Sequence, residues 1–415
     1  MPSIQRRTFL GTLSVGLVGL AGCSSSCPDS DGPTPDTVVD ADETGTGFDR
    51  HPGGAWPAPR FDAANTGYAP SRRLPTGTPT LRWRTTLSAP VVDDAEATVS
   101  SPTVADGRVY LTTGDGVFAL GLRDGETRWN VSLTPAVTGP PVRDSATLAP
   151  PVVAGDTVCV ATADGLTALD IADGATVWQF TDAQPTGTPV VVDATVVVPT
   201  TTELVALDAA TGDVQWSAAG ADATLPAVAD GTLVAALDGL AAIDAATGER
   251  RWVSPVRTDA YPVIDGDTVY LGTDEGLVGV ALADGTMRWT VDRGSGRTFS
   301  APVVTPETIY AAEQPVEAGD ATFAFDRVDD GPPEPRWCSS VGEGSVTAAT
   351  ASHAVALQAG HSDRRPPVRL VAFTARFGEA TWGYADVDPA MPPAILDGGV
   401  VTVTRRGTVV AFGGV

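Results

Sequence analysis

The sequence predicts an all-β protein, an eight-bladed β-propeller of four-stranded antiparallel blades, from a recurring hairpin and a regular spacing of Trp. The best copy of the hairpin is LVALDAATGDVQW at residues 204–216, where alternating apolar residues precede a Thr-Gly turn and a Trp begins the return strand. Eight of the nine Trp recur at intervals of 36 to 49 residues. Such a period is typical of propellers, solenoids and arrays, whose units cannot bury their apolar faces alone.

The repeated Trp begin the outermost strand of each blade, so we interpret them as packing anchors between blades. Stacking of sugar or quinone rings is the alternative. These residues are Trp83, Trp129, Trp178, Trp216, Trp252, Trp289, Trp337 and Trp382.

Each interval between Trp residues divides into four short β segments separated by turns such as Asp106-Gly107. This turn density favours propeller blades and excludes a helical solenoid.

The two ends of the repeat region are incomplete blades. Residues 80–87 supply only an outermost strand, and residues 390–415 supply three strands without a following Trp. Joined, the two pieces make an eighth blade that closes the ring and removes open sheet edges. A seven-bladed ring is the alternative, should residues 313–330 not form a full sheet.

The first residues predict an exported, lipid-anchored protein. QRRTFL at residues 5–10 resembles the twin-arginine export signature, with Arg6 and Arg7 as its export signal. A short apolar run then ends in LAGC at residues 20–23, which resembles a lipobox with Cys23 as the lipid attachment. We expect a signal peptide at 1–22, a disordered tether at 23–54 rich in Ser, Asp, Thr, Pro and Gly, and a propeller domain at 55–415. The domain would lie on the extracytoplasmic face of the cell membrane.

The charge balance argues against nucleic acid as a partner. The chain has 26 basic and 51 acidic residues and a net charge of −25, whereas phosphate binding requires a positive face. Every basic residue except the three His is Arg, because the chain contains no Lys. This composition resembles secreted proteins of halophilic archaea, in which acidic charge serves solubility in concentrated salt.

A family resemblance rests on WPAPRFDAANTGY at residues 56–68 and on the repeated Ala-Leu-Asp-x-x-Thr-Gly-x-x-x-Trp frame. Together they resemble the quinoprotein-type β-propellers, whose repeats are named after pyrroloquinoline quinone (PQQ). That family includes quinone-dependent alcohol dehydrogenases and non-enzymatic BamB-type assembly lipoproteins. The resemblance covers residues 56–415 and implies the fold, but it leaves the activity open.

Candidate ligand-binding residues lie at the starts of the inner strands, which surround the axis of a propeller. Hydroxyl groups dominate there and could hold waters or a polar ligand. The candidates are Thr98, Thr147, Thr188, Thr224, Tyr261, Arg297, Phe299 and Thr347. Tyr261, Arg297 and Phe299 are the first choices because of their size; a channel that holds only water is the alternative.

The loops between second and third strands predict a face divided into acidic and basic arcs that could orient a partner protein. The acidic members are Asp115, Asp164, Glu203, Asp238, Asp274 and Glu275, and the basic members are Arg364, Arg365, Arg369, Arg405 and Arg406. Solvated turns with chance clustering are the alternative.

The resemblance implies, for the dehydrogenases, an adjacent Cys pair over the quinone, calcium held by Glu, Asn and Asp, and a catalytic Asp. Here Cys159 and Cys338 stand in separate blades and are expected to be small buried hydrophobic residues. Asn occurs only at Asn65 and Asn130, so the calcium ligands cannot be matched. We therefore predict no catalytic residue, no metal and no cofactor, with PQQ as the alternative.

Two functions follow from different classes. The first is a membrane-anchored scaffold that binds envelope or membrane proteins, or a small-molecule or glycan ligand, with a monomeric propeller domain. The alternative is a divergent PQQ-dependent or sugar oxidoreductase.

Overall fold

The computed structural model describes residues 38–39, 45, 47–49, 52–75, 79–87, 99–134, 148–220, 223, 225–237, 239–292, 298–314, 321–328, 331–339, 343–359, 370–384, 391–404 and 407–414. The regular secondary structure of these residues consists of β-strands. None of them forms a helix long and apolar enough to cross a membrane.

The strands form eight antiparallel blades, each with four strands from the axis to the rim, which confirms the predicted fold class. From the inner to the outermost strand, blade 1 consists of Thr103–Ala105, Arg108–Thr113, Gly116–Gly121 and Thr127–Ser132, and blade 2 of Val152–Ala154, Thr157–Thr162, Gly165–Asp170 and Thr176–Phe180. Blade 3 consists of Val190–Val192, Thr195–Pro199, Glu203–Asp208 and Val214–Ala219. Blade 4 consists of Ala227–Ala229, Thr232–Leu237, Gly239–Asp244 and Arg250–Ser254.

Blades 5 to 8 follow the same order, with the inner strand of blade 6 in two parts. Blade 5 consists of Val263–Asp265, Thr268–Thr273, Gly276–Ala281 and Met287–Val291, and blade 6 of Thr298–Phe299 with Val303–Val304, Thr308–Gln314, Ala321–Asp326 and Glu334–Ser339. Blade 7 consists of Glu343–Ala349, His353–Ala359, Leu370–Thr374 and Ala380–Tyr384. Blade 8 consists of Ala394–Leu396, Gly399–Val403, Thr408–Gly413 and Thr80–Thr86.

Blade 8 is the predicted composite of two distant parts of the sequence. Its outermost strand, Thr80–Thr86, pairs antiparallel with Thr408–Gly413, with Thr86 opposite Thr408 and Thr80 opposite Gly413. Blade 6 is also a full sheet, because Thr308–Gln314 pairs with Ala321–Asp326. The seven-bladed alternative is therefore wrong.

The core lies between blades, since each blade packs its two faces against its neighbours. The second and third strands are consequently buried on both faces, as in Thr157–Thr162. One apolar cluster joins Leu370 of blade 7, Phe412 of blade 8 and Leu120 of blade 1, and so crosses the point where the ring closes.

The repeated Trp connect successive blades. The indole Nε1 of Trp216 donates a hydrogen bond to the carbonyl oxygen of Ala245 in the next blade at 3.1 Å. A Cβ atom at Gly248, which has φ +75°, would come within 2.7 Å of the same indole. The corresponding bonds are Trp83 to Leu122 (2.8 Å), Trp129 to Ile171 (3.2 Å), Trp178 to Ala209 (3.0 Å), Trp252 to Leu282 (2.8 Å), Trp337 to Ala375 (3.3 Å) and Trp382 to Pro75 (3.1 Å). Trp289 instead packs on Tyr270, with ring centroids 5.9 Å apart.

Part of the predicted tether lies on the propeller. Val38–Val39 pairs parallel with the outermost strand of blade 7, opposite Gly383 and Tyr384. Phe48 is buried, and its N–H donates to the carbonyl of Arg123 at 2.9 Å. These described residues of the segment thus contact the ring, while the predicted bounds of the tether stay a prediction. The predicted export signal at Arg6 and Arg7 and the lipid site at Cys23 lie outside the described residues.

The two blade cysteines differ from each other. Cys159 is free and fully buried in blade 2, and burial raises the pKa of its thiol to about 12. Cys338 lies half-buried in the outermost strand of blade 6 and is disulfide-bonded. The expectation of a small buried hydrophobic residue is confirmed for Cys159 and is wrong for Cys338, which is half-buried and disulfide-bonded.

Candidate functional site: the axial segment

The axis of the ring is crossed by residues 52–69, here called the axial segment. Its backbone carbonyls accept hydrogen bonds from the inner strands of six blades: Val104 to Trp56 (2.8 Å), Val153 to Pro57 (3.5 Å), Val228 to Ala63 (2.6 Å), Ile264 to Ala64 (2.9 Å), Val304 to Thr66 (3.0 Å) and Ala349 to Gly67 (2.8 Å). Blade 8 contributes a seventh bond, from Asp397 to Gly53 at 3.0 Å. The segment therefore ties together seven of the eight blades.

The axial segment pairs with the unpaired side of the inner strands. Four of the donors, at Val104, Val153, Val228 and Ile264, are the second residue of a three-residue inner strand. Because the inner strand has a neighbour on one side only, the N–H groups on its axial side need another acceptor. The axial segment supplies that acceptor from within the same chain.

Arg60 places a buried cation on the axis. Its side chain is almost fully buried, and its guanidinium donates to the backbone carbonyls of Pro302 at 2.6 Å and Thr347 at 3.2 Å. It also donates to the carbonyl of Asn65 within the segment at 3.4 Å. The guanidinium carbon lies 5.2 Å from the ring centroid of Tyr261, a cation–π distance. Arg60 thus connects blades 5, 6 and 7.

The side chain of Asn65 connects blades 4 and 5 by hydrogen bonds. Its side-chain amide nitrogen donates to the carbonyls of Pro226 at 3.0 Å, Pro262 at 3.1 Å and Leu225 at 3.5 Å. The residue has φ +60°, in the left-handed region that Asn tolerates better than most residues. A local turn and three carbonyl contacts therefore both favour Asn at this position.

Asp62 is the acidic group nearest to Arg60 in the segment. Its carboxylate accepts hydrogen bonds from Thr66, at 2.9 Å from the backbone nitrogen and 2.5 Å from the hydroxyl. Burial raises the pKa of Asp62 above the usual value, although the bonds from Thr66 and the charge of Arg60 act in the opposite direction. The axis accordingly carries one cation and one carboxyl group from the segment itself.

The predicted axial residues are only partly brought together. Tyr261 lies over Arg60, and the carbonyl of Thr347 accepts a hydrogen bond from Arg60, so these two adjoin the axial segment. Thr188 is buried in blade 3. Phe299 is buried and packs against Phe323 and Phe325, with ring centroids 6.1 Å away in each case. Thr98, Thr147, Thr224 and Arg297 lie outside the described residues.

Sequence reasoning did not single out Arg60 and Asn65 as axial residues. Both stand in the stretch that carries the family resemblance, but a polar stretch before the first repeat gives no indication of its course. The available signal was an Arg and one of only two Asn within a short segment rich in Ala, Pro and Gly.

The described residues do not fit the quinone and calcium set that the resemblance implies. The amide nitrogen of Asn65 is engaged by three carbonyls, and Asn130 is exposed on the outermost strand of blade 1. Cys159 is buried inside blade 2 without a neighbouring cysteine. No group of His, Cys, Asp or Glu in the described part of the chain could hold a metal ion.

Two surface features complete the candidate sites. Asp115, Asp164, Asp274 and Glu275 are exposed at the turns between second and third strands, all on one face of the ring. Asp238 and the five predicted basic members of this face lie outside the described residues. An open concavity of about 530 Å³ on blade 1 is lined by Phe118, Asn130 and Thr134 among others.

Among solved structures, three similar ones share the architecture at low identity. Quinohemoprotein alcohol dehydrogenase from Comamonas testosteroni has a TM-score of 0.64 at 14% identity, over 86% of this chain and 80% of that chain. A europium-containing methanol dehydrogenase has a TM-score of 0.63 at 12% identity, over 87% and 98%. BamB from Moraxella catarrhalis has a TM-score of 0.49 at 19% identity, over 81% and 98%. At these identities the two dehydrogenases show the fold alone.

No curated protein matches the chain. The family described as outer membrane protein assembly factor BamB matches three overlapping stretches, residues 74–191, 165–354 and 223–414. These matches include the repeated hairpins and all eight Trp anchors, although they begin after the axial segment. The chain therefore belongs to the BamB family of PQQ-type repeat propellers.

Proposed function

We propose that this chain is a lipid-anchored propeller on the extracytoplasmic face of the cell membrane, where it acts as a scaffold for envelope or membrane proteins. The observation that carries the proposal is the axial segment, which fills the middle of the ring with the chain's own residues. The faces and rim of the ring are then the surfaces offered to partners.

The bonding of the axial segment supports a structural role for the axis. A ligand at the level of the inner strands would have to displace the backbone bonds to Trp56, Ala63 and Thr66, and the side-chain bonds of Arg60 and Asn65. Each such bond contributes on the order of 1 kcal/mol, and buried groups left without partners cost more. A small ligand at that level would therefore have to replace many polar contacts at once.

Family membership supports the choice of envelope proteins as partners. The description of the family names outer membrane protein assembly. The composition, however, resembles that of halophilic archaeal proteins, and archaea have no outer membrane. We therefore propose a role in protein interaction without transferring the assembly function itself.

The acidic face is the proposed contact surface. Asp115 and Asp164 are exposed at corresponding turns of the adjacent blades 1 and 2, and Asp274 is exposed at the same turn of blade 5. A partner with a basic surface would complement them. Concentrated salt shortens the range of such attraction to a few ångströms, so direct contact rather than long-range steering would select the partner.

Site-specific photo-crosslinking in native membranes tests this proposal. A photoreactive residue at Asp164, in the exposed turn that follows Thr157–Thr162, is compared with one at Asp156, an exposed Asp that precedes the same strand. We expect Asp164 to give one dominant crosslinked protein and Asp156 to give none.

Equal labelling from both positions would contradict the proposed face. The oxidoreductase alternative is tested separately by the absorbance spectrum and native mass of the full chain in high salt with PQQ and calcium. A stoichiometric bound quinone would overturn the scaffold proposal.

A further inference from the structure

A short motif on the outermost strand of blade 1 leads to an inference about a covalent modification. Asn130-Val131-Ser132 matches the acceptor sequence for N-linked glycosylation, in which any residue except Pro stands between Asn and Ser or Thr. The other Asn of the chain, Asn65, is followed by Thr66-Gly67 and does not match. The sequence therefore offers a single acceptor position.

The structure places this motif on the surface of the ring. Asn130 and Ser132 are both exposed, and the motif forms the last half of the strand Thr127–Ser132. In the described part of the chain this strand is the rim edge of its blade, with Gly116–Gly121 as its one paired neighbour. An enzyme that approaches from the rim therefore meets the acceptor side chain without first displacing another strand.

The open concavity of about 530 Å³ on blade 1 lies directly beside the motif, because Phe118, Asn130, Ser132 and Thr134 are among its lining residues. Phe118 is paired with Asn130 in the antiparallel register. Side chains in such a pair leave the same face of the sheet, with Cβ atoms about 5 Å apart. Phe118 is only half-buried, so it presents aromatic surface to the concavity. A sugar on the amide of Asn130 would start next to a surface on which the C–H face of a sugar ring can pack.

We propose that Asn130 carries an N-linked glycan whose first sugar ring lies in this concavity against Phe118. The inference rests on the proposed extracytoplasmic location, because glycans preassembled on a lipid carrier are transferred to proteins outside the cytoplasm. The concavity has the volume of a small-molecule cleft. The glycan would also cover part of the free edge of Thr127–Ser132 and so hinder edge-to-edge association of propellers.

The transfer balances with an oligosaccharide linked to a polyisoprenoid phosphate as the donor. The side-chain nitrogen of Asn130 forms a bond to C1 of the first sugar while the bond between C1 and the phosphate oxygen breaks. The lipid phosphate leaves with that electron pair, and the nitrogen gives up one proton to a base of the transferase. No group is oxidised or reduced.

Peptide mapping of the full chain from native membranes tests the modification. Cleavage by trypsin after Arg128 and Arg143 gives a peptide of residues 129–143, which contains the motif. We expect this peptide to carry a glycan mass that fragmentation locates on Asn130. Ser132→Ala should abolish the glycan, whereas the matched variant Ser132→Thr keeps the acceptor hydroxyl and should retain it.

Hydroxyl-radical footprinting of the native protein tests the position of the first sugar. Oxidation of Phe118 should rise by about twofold or more in Ser132→Ala, because the sugar ring no longer covers the half-buried side chain. Phe377, which is 61% exposed on blade 7, is the control and should be oxidised equally in both proteins. Equal oxidation of Phe118 in the two proteins would overturn the contact with Phe118.

An unmodified peptide 129–143 from the wild type would overturn the inference as a whole. The peptide that begins at Cys23, followed in the same digest, separates this failure from a failure of the proposed function. A lipid mass on Cys23 beside an unmodified Asn130 leaves the anchor standing and overturns only the glycan. An unmodified Asn130 together with a Cys23 that carries no lipid overturns both proposals.

Discussion

The indole Nε1 of Trp382 lies 3.1 Å from the backbone carbonyl oxygen of Pro75 and donates a hydrogen bond to it. In six other blades the acceptor belongs to the turn region after the third strand of the next blade, as Ala245 does for Trp216. In blade 8 the third and outermost strands come from distant parts of the sequence, so no turn connects them. Pro75, shortly before Thr80–Thr86, takes the place of that turn and completes the interblade contacts where the ring closes.

The interblade role of the Trp residues predicts a large loss of stability on truncation. We expect Trp216→Ala to lower the free energy of unfolding by about 3 to 5 kcal/mol, because it removes a buried ring and leaves a cavity between blades. Denaturant unfolding in high salt measures the effect. Val214→Ala is the matched control: Val214 is on the same strand but 53% exposed, and it should change stability by less than about 0.5 kcal/mol. An unchanged midpoint for Trp216→Ala would exclude the packing role.

The turn glycines predict a difference between two substitutions of the same kind. Gly212 has φ +77°, and a Cβ there would lie 2.7 Å from the indole of Trp178; Gly231 has φ +67° with open space around it. Gly231→Ala should cost only backbone strain, about 1 to 2 kcal/mol. Gly212→Ala also crowds the indole of Trp178, so it should lower the free energy of unfolding by about 1 to 3 kcal/mol more than Gly231→Ala does. Thermal or denaturant unfolding measures both losses. Equal losses would mean that contact with the indole does not constrain this turn.

The fold was predictable because its determinants are local and repeated. A Thr-Gly turn followed by Trp216 encodes the hairpin and its packing contact together, and the pattern survives in most blades. Even the composite blade could be inferred from the repeat pattern. Residues 80–87, with Trp83, match only the outermost strand of a blade, and residues 390–415 match the three inner strands without a following Trp.

The axial segment was not predictable, for a physical reason. Its partners are backbone groups, such as the N–H of Val104 and the carbonyl of Pro302. Every residue type offers the same C=O, and every type except Pro offers the same N–H. The disulfide of Cys338 was missed because cysteine pairing depends on the three-dimensional path of the chain and not on spacing.

Burial predicts an unreactive thiol at Cys159. Burial raises the pKa of the thiol to about 12, so almost no thiolate is present in the folded protein at pH 8. Ellman's reagent should therefore react with Cys159 only after denaturation. The unfolded thiol ionises near its usual pKa of 9.0, so this residue should lower stability as pH rises from about 9 towards 12. Rapid labelling of the native protein at Cys159 would contradict the buried position.

The contacts of Asn65 predict that a change from amide to carboxylate destabilises the ring at neutral pH. Asn65→Asp keeps the size of the side chain and tolerates the same φ, but it replaces a donor by an acceptor that faces the carbonyls of Pro226 and Pro262. Lone pairs then oppose lone pairs in a buried site, so we expect a loss of about 3 kcal/mol or more in denaturant unfolding. Protonation of the introduced carboxylate restores one hydrogen-bond donor, so the loss of unfolding free energy should shrink as pH falls.

Asn130→Asp, on an exposed rim strand, is the control, and its free energy of unfolding should stay within about 0.5 kcal/mol of the wild type. If the two variants unfold alike, the amide of Asn65 does not hold the inner strands of blades 4 and 5 together.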